Sequence, residues 1–127
     1  MTLENPSALS VAIVGMACRF PGASNTREFW QNLRNGVDSI TQFTEEEMRS
    51  FGVKAERYRS PDFIRAAPIL TDADCFDASF FGFAPKEAAL MDPQHRVFLE
   101  CAWEALESSG YKPDRSPQPL GISPGRV

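Results

Sequence analysis

The chain has little of what several common functions require. It carries 13 Lys and Arg against 17 Asp and Glu, which gives a net charge of −4 at pH 7. Because no basic surplus exists to neutralise phosphates, the charge argues against a nucleic-acid partner. No signal peptide is recognisable, and no apolar run approaches the ~20 residues that cross a bilayer. These absences predict a cytoplasmic protein that binds neither nucleic acid nor a membrane.

Histidine and paired cysteine are equally scarce. Cys18, Cys75 and Cys101 are the three cysteines, and His95 is the one histidine. Their spacing excludes a CxxC metal or redox motif and gives no paired disulfide framework. Any thiol–histidine catalyst would need His95, and no pattern in the sequence brings it beside a thiol. We therefore predict no catalytic residue, no cofactor-binding residue and no metal ligand in this chain.

The candidate reactive residues each have a simpler structural interpretation. His95 lies in the first turn of a predicted helix, where the dipole disfavours a protonated imidazole, so a surface or cap histidine is favoured over a general base. Cys101 is most simply a small packing residue. Cys18, beside Arg19 in the loop GMACRFPG, is the more tempting nucleophile but has no assigned base. The same loop lacks the GxGxxG and GKS/T spacings, so it predicts no phosphate cradle.

An acidic group resembles the start of a calcium loop but fails its pattern. The group consists of Asp72, Asp74 and Asp77. Position six of the loop would be Asp77, where glycine is required, and position twelve would be Phe83 instead of glutamate. Asp77 is instead predicted to cap a turn in the aromatic stretch FDASFFGF, residues 76–83, which we expect to be a helical turn pressed into the core.

Local signals predict an α/β chain that is helix-rich with few strands. The run SVAIVG, Ser10 to Gly15, predicts a buried strand, and a weaker one is predicted at Phe63–Arg65. Residues 1–9 are expected to form a flexible leader and residues 123–127 a divergent tail, which leaves 10–122 as the domain. Caps, prolines and glycines predict four helices, from Asn25 to Gly36, Thr44 to Gly52, Pro85 to Met91, and Asp92 to Gly110.

Two of these helices carry further expectations. In the second, Glu47 completes a capping box with Thr44, as Glu28 is expected to do in the first helix with Asn25, and Met48 and Phe51 are expected to point inward. The last helix carries an apolar stripe of helical period, whose members are Phe98, Leu99, Ala102, Trp103 and Leu106.

Three long segments together resemble a known family. They are VAIVGMACRFPGA, EFWQNLRNGVDSI and FDASFFGFAPKEAALMDPQHRVFLECAWEALESSGY. In this order they are similar to the start of a β-ketoacyl synthase, and more narrowly to the ketosynthase domain of modular type I polyketide synthases or hybrid peptide–polyketide synthases. The resemblance runs from about Ser10 to Gly121. It implies a partial thiolase-type fold, a dimer, and decarboxylative condensation of acyl groups carried on the phosphopantetheine of an acyl carrier protein.

The family's catalytic residues do not carry over to this chain. The nucleophilic cysteine of the family lies in a TACSS-like motif downstream of the MDPQ helix, with two histidines further on, and neither feature is present here. What carries over is structural: Ser10 to Val14 as a first strand, and Asp92, Pro93 and Gln94 as the start of a framework helix. After PLGI the sequence departs from the family at Pro124, so we expect the chain to reach only a quarter to a third of the way into that domain.

Two functional hypotheses follow. In the first, the chain is the N-terminal piece of a ketosynthase from an acyltransferase family, needs a carrier protein and a second ketosynthase subunit as partners, binds no cofactor directly, and is inactive alone. In the second, it is a non-catalytic module that docks on a carrier protein or on a complete ketosynthase.

Overall fold

The computed structural model describes residues 11–112 and 119–124. Within them the chain forms five helices and one two-stranded antiparallel sheet. The described part is mixed α/β and helix-rich with few strands, as predicted. In chain order the elements are α1 (Thr26–Asn35), β1 (Ile40–Gln42), α2 (Glu45–Ser50), α3 (Ala55–Tyr58), β2 (Ala66–Pro68), α4 (Pro85–Leu90) and α5 (Pro93–Ser109).

The first two helices begin at the predicted caps, and α1 ends at the predicted Gly36, whereas α2 ends at its C-cap Phe51, one residue before the predicted Gly52. Asn25 Oδ1 accepts a hydrogen bond from Glu28 N at 3.0 Å, and Gly36 ends α1 in the left-handed region with a φ of 63°. At α2, Glu47 N donates to Thr44 Oγ1 at 3.2 Å, and Thr44 N donates to the Glu47 carboxylate at 2.8 Å. These two bonds satisfy the backbone amides of both Thr44 and Glu47, so the predicted capping box at α2 is complete.

The last two helices also begin as predicted, with unequal caps. Asp92 Oδ1 accepts a hydrogen bond from Gln94 N at 2.8 Å at the start of α5, and Gly110 ends that helix with a φ of 68°. At α4, Glu87 accepts from Ala84 N at 2.9 Å. Because alanine has no side-chain acceptor, only half of a capping box exists there.

The predicted first strand is wrong for the residues that the structure describes. Residues 11–15 form no strand, and the exposed fractions of Val11 and Ile13 are 92% and 82%. The physical reason is that no described strand pairs with them to complete a ladder of backbone hydrogen bonds. Ser10 lies outside the described residues. We refer to residues 11–16 as the N-terminal segment.

The second predicted strand lies three residues later than expected. β2 pairs with β1 so that Ile40 faces Pro68 and Gln42 faces Ala66. Arg65 contributes only its carbonyl, which accepts from Phe43 N at 2.7 Å beyond the end of this register. The prolines that bound the region do not prevent pairing because Pro68 lies on the last pair of a two-stranded sheet, where both strands are edges.

Two side chains are placed differently from the predictions. Phe51 is 62% exposed instead of pointing inward, because its ring packs edge-on against Phe43 with the centroids 5.7 Å apart on an open face. The Glu28 carboxylate accepts from Ser24 N at 2.8 Å, one residue before the N-cap, so the reciprocal half of the expected capping box at Asn25 is shifted.

Four of the described side chains are buried, and the two large ones lie in one region. We define residues 40–68, from β1 through α2 and α3 to β2, as the hairpin unit. It contains Met48 and Tyr58, which are 7% and 4% exposed. By contrast, no described side chain of α5 is buried, and Phe98 and Trp103 on its apolar stripe are 40% and 45% exposed. The hairpin unit therefore holds the two large buried side chains, while Ala23 and Ala88 are buried outside it.

The aromatic stretch forms the predicted turn next to α5, but the expectation that it is pressed into the core is wrong, because none of its four phenylalanines is buried. Asp77 Oδ1 accepts from Phe80 N at 3.0 Å and from Ser79 Oγ at 2.8 Å, which confirms its role as a turn cap. These bonds lower the pKa of the Asp77 carboxyl because they favour the charged form. The Phe80 ring packs edge-on against Trp103, 4.9 Å between centroids, yet remains 54% exposed.

Candidate functional site

A two-pronged ion pair joins the loop after the N-terminal segment to α5. Arg19 Nη1 donates to Glu104 Oε2 at 2.8 Å, and Arg19 Nη2 donates to Glu104 Oε1. The same Nη1 also donates to the Ser24 carbonyl at 2.7 Å. Such a two-pronged guanidinium–carboxylate pair fixes orientation as well as distance. No local pattern in the sequence predicts it, because the partners are 85 residues apart.

Glycine permits the close approach that this contact needs. A Cβ added to Gly15 would lie 2.1 Å from the Ala105 carbonyl oxygen, a distance that no real side chain tolerates against backbone. Beside it, Met16 N donates to Ser108 Oγ at 3.2 Å. Gly15, which the sequence analysis interpreted only as the end of a strand, is therefore needed for close packing against α5.

The two thiols near the Arg19–Glu104 pair are not activated nucleophiles. Cys18 and Cys101 are both half-buried and unpaired. Burial raises the pKa of Cys18, an effect that Arg19 opposes and Glu104 reinforces. Burial also raises the pKa of Cys101, with the same opposing and reinforcing charges. At neutral pH both side chains therefore stay protonated, whereas a nucleophilic cysteine needs its thiolate.

His95 lies away from this chemistry. It is exposed in the first turn of α5, and its backbone amide donates to the Asp92 carbonyl at 2.9 Å. No hydrogen bond within residues 11–112 and 119–124 joins its imidazole to a thiol, and it is absent from the charges that shift the pKa of Cys18 or Cys101. The structure thus provides no thiol–histidine pair among the residues it describes.

Two acidic residues of the calcium-like stretch, Asp72 and Asp74, accept hydrogen bonds through their backbone carbonyls. Asp72 adopts a left-handed φ of 57°, and its carbonyl accepts from Cys75 N at 2.9 Å. The Asp74 carbonyl lies 3.4 Å from Arg96 Nη1 on α5. In the part of the chain that the structure describes, no group of three or more His, Cys, Asp or Glu side chains could hold a metal ion.

Two open clefts flank the loop between the N-terminal segment and α1, residues 17–25, which we call the Arg19 loop. One, of about 260 Å³, lies between the loop and α1, with Phe20 and Phe29 stacked 4.3 Å apart at one wall. The other, of about 290 Å³, has Arg19, Asp72 and Cys75 on its walls. Cys75 is the thiol in the second cleft, and no hydrogen bond among the described residues joins its sulfur to a base, a contact that activates a nucleophile. No described helix is both long and apolar enough to span a membrane.

Comparison with known proteins identifies the framework. The family model described as "Beta-ketoacyl synthase, N-terminal domain" matches residues 8–125. A phenolphthiocerol/phthiocerol polyketide synthase of Mycobacterium tuberculosis (strain CDC 1551 / Oshkosh) is 49% identical over 113 residues, which cover 89% of this chain and 8% of that protein. Polyketide synthase PksN of Bacillus subtilis (strain 168) is 45% identical over 80% of this chain and 2% of its own length.

Solved structures agree with these sequence matches. Ketosynthase twelve of the bacillaene polyketide synthase in Bacillus amyloliquefaciens superimposes with a TM-score of 0.68 at 45% identity, covering 76% of this chain and 17% of that one. The module 6 ketosynthase of the bacillaene synthase from Bacillus subtilis 168 gives a TM-score of 0.66 at 39% identity, covering 81% and 17%. The predicted partial ketosynthase fold is confirmed. This chain belongs to the β-ketoacyl synthase family and corresponds to the N-terminal part of a polyketide-synthase ketosynthase domain.

Proposed function

We propose that residues 10–122 supply framework to a polyketide-synthase ketosynthase and contain none of its catalytic groups. The observation that carries the proposal is the state of the thiols. Cys18 and Cys101 are half-buried beside Glu104, with pKa values raised by burial, and neither is hydrogen-bonded to His95. A thiol in this setting stays protonated and makes a poor acyl acceptor.

Arg19 and Glu104 are framework residues in this proposal. Their two-pronged pair orients the loop that follows the N-terminal segment against α5, and the approach of Gly15 to Ala105 sets the spacing. Both contacts join positions that are far apart in the chain, so they define how the front of the domain is assembled. Positioning of this kind contributes to a condensing enzyme without touching its substrate.

The activity belongs to the complete domain. There the acyl chain is delivered on the phosphopantetheine arm of an acyl carrier protein, a cysteine accepts it, and two histidines assist decarboxylative condensation. A second ketosynthase subunit and a cytoplasmic location complete the proposal. Support comes from the family match over residues 8–125, together with the small share, 8% and 17%, that the chain covers of its relative and its structural neighbour.

Acylation of the thiols tests the proposal directly. The purified 127-residue chain is incubated with an acyl-pantetheine thioester at neutral pH, and its intact mass is followed. We expect no stoichiometric adduct, while iodoacetamide in guanidinium chloride modifies all three cysteines and shows that each is a reduced thiol. A one-to-one acyl adduct that maps to Cys18 and disappears in Cys18→Ser would overturn the proposal.

The alternative, a docking module, has one supporting observation. Large apolar side chains are exposed on the N-terminal segment and on α5, among them Val11, Ile13 and Trp103. On soluble proteins, large contiguous apolar patches mark interaction sites. Retention of this chain on an immobilised complete ketosynthase, but not on an immobilised carrier protein, would favour docking on the enzyme.

A further inference from the structure

The backbone of the N-terminal segment has no partner in the part of the chain that the structure describes. No hydrogen bond among the described residues involves the backbone of residues 11–14. Directly after them, Gly15 packs against the Ala105 carbonyl and Met16 N donates to Ser108 Oγ, so α5 holds the C-terminal end of the segment. Residues 11–14 are therefore fixed at one end, and their amides and carbonyls are open to pairing, as at the edge of a sheet.

The segment lacks the features that prevent one chain's edge from pairing with another's. Natural sheet edges carry charged residues, prolines or bulges for this purpose. No charged residue lies between Glu4 and Arg19, and residues 11–18 contain no proline. By contrast, β2 in the hairpin unit follows Arg65 and ends at Pro68. The run of residues 11–14, VAIV, thus combines high β-propensity with no charge, the composition that favours pairing between chains.

The two most exposed side chains of the segment make it complementary to itself. Val11 and Ile13 are 92% and 82% exposed, and residues two apart lie on one face of an extended strand. If two copies pair antiparallel about a two-fold axis at Ala12, Val11 of each copy faces Ile13 of the other. All four apolar side chains then share one face, and β-branched cross-strand pairs of this kind stabilise a sheet.

We propose that the N-terminal segment is a self-association surface through which two copies of this chain pair as antiparallel strands over residues 11–13. Charge selects a second copy as the occupant. Copies of net charge −4 repel one another, but this segment places no charged side chain at the contact and offers none to a partner recognised by ion pairs. The ladder has three pairs, as between β1 and β2, so it forms at high protein concentration and the dilute monomer keeps these amides open.

Sedimentation velocity of the full 127-residue chain over a wide concentration range is the first test. We expect the average mass to rise with concentration toward that of a dimer. Added salt should strengthen the association, because it screens the repulsion between the net charges and breaks no ion pair at the contact. In hydrogen exchange, peptides that cover residues 11–13 should gain protection as the dimer forms, whereas the amide of Phe43 in the hairpin unit should not change.

A matched pair of variants localises the contact. Ile13→Lys places like charges on the shared face of the dimer, and we expect it to remain monomeric at concentrations where the unmodified chain pairs. Ile64→Lys makes the same charge change at an isoleucine that is 80% exposed in the hairpin unit, and it should dimerise as the unmodified chain does. Ala12→Pro removes the amide at the two-fold axis without adding charge and should also prevent pairing. Far-UV circular dichroism checks that each variant folds.

Several results would overturn the proposal. One is a chain that is monomeric at every concentration. Another is association that persists in both Ile13→Lys and Ala12→Pro, or that leaves residues 11–13 unprotected, because the contact would then lie elsewhere. A third is protection of residues 11–13 only after a complete ketosynthase is added, which would make that enzyme the occupant in place of a second copy.

Discussion

The sequence predicts a clear strand in the N-terminal segment and only a weaker one in the hairpin unit, yet the described structure has strands in the hairpin unit alone. In the hairpin unit, β1 and β2 complete each other's backbone hydrogen bonds, and Met48 and Tyr58 are buried. In the N-terminal segment, Val11 and Ile13 are almost fully exposed, and residues 11–15 belong to no ladder. A strand therefore needs a partner: β-branched residues favour an extended backbone, but a neighbouring strand must complete its hydrogen bonds.

The difference also indicates what the rest of the ketosynthase domain contributes to the stability of the N-terminal segment. Fully burying one Val or Ile side chain stabilises a fold by ~1.5–3 kcal/mol, and the N-terminal segment leaves that contribution unrealised at Val11 and Ile13. Whole domains are stable by only ~5–15 kcal/mol, so such losses decide whether a fold persists. We infer that the segment's strand forms when further sheet strands of the domain are supplied.

The largest expected effect comes from Gly15. Gly15→Val places a side chain against the Ala105 carbonyl oxygen, where even a Cβ would lie at 2.1 Å, and backbone on both sides must shift. Overpacking of this kind costs ~1–3 kcal/mol. We expect a lower midpoint in guanidinium chloride, followed by far-UV circular dichroism.

Gly121→Val is the matched control, because no atom lies within 4 Å of an added Cβ at that position. Its midpoint should stay within error of the unmodified chain. Equal shifts in the two variants would show that the N-terminal segment does not pack on α5 as described.

A smaller effect is expected inside the hairpin unit. Thr44→Ala removes the acceptor for Glu47 N at the start of α2 and should cost about 1 kcal/mol. The opposite change exists at α4, where Ala84→Ser adds the acceptor that this helix lacks and should stabilise by up to about 1 kcal/mol. Equilibrium unfolding of both variants should give opposite signs; a destabilised Ala84→Ser would contradict the cap geometry.

The pH dependence of the same cap follows from Glu47. Hydrogen bonds from the Thr44 amide and hydroxyl lower its pKa in the folded state. A lowered folded pKa gives stability that is present above the unfolded value, near 4.5, and is lost as the pH falls through the folded value. We expect the difference between Thr44→Ala and the unmodified chain to shrink on acidification below that range, and a difference that grows would contradict the assignment.

The smallest effect is expected for the ion pair that attaches the Arg19 loop. The side chains of Arg19 and Glu104 are 27% and 39% exposed, so solvent screens their attraction. A double-mutant cycle with Arg19→Met and Glu104→Gln should give a coupling energy of ~0.2–1 kcal/mol that decreases with added salt. A coupling energy of zero at low salt would show that this contact does not stabilise the fold.

Features that depend on neighbouring residues could be predicted from the sequence, whereas features that depend on distant partners could not. Caps at Asn25, Thr44 and Asp92 were predictable because each acts within three residues of itself. The turn capped by Asp77 was predictable for the same reason. The family was recognisable because long motifs occur in order, even where local strand placement failed.

What could not be predicted depends on distant partners. No periodicity signals that Arg19 meets Glu104 or that Gly15 meets Ala105, since these pairs join opposite ends of the described chain. The strand expected at Ser10–Val14 failed for the complementary reason. Its signal was local, whereas the strand itself requires neighbours that the described residues do not include.

Amide hydrogen exchange tests the central claim most directly, namely that the hairpin unit is complete by itself and the N-terminal segment is not. In a native-state experiment read by mass spectrometry, the amides of Phe43, Met48 and Val53, which donate to Arg65, Thr44 and Met48, should be protected. The amides of residues 12–14 should exchange at the rate of an unstructured chain. Protection of residues 12–14 equal to that of the hairpin unit would contradict the account.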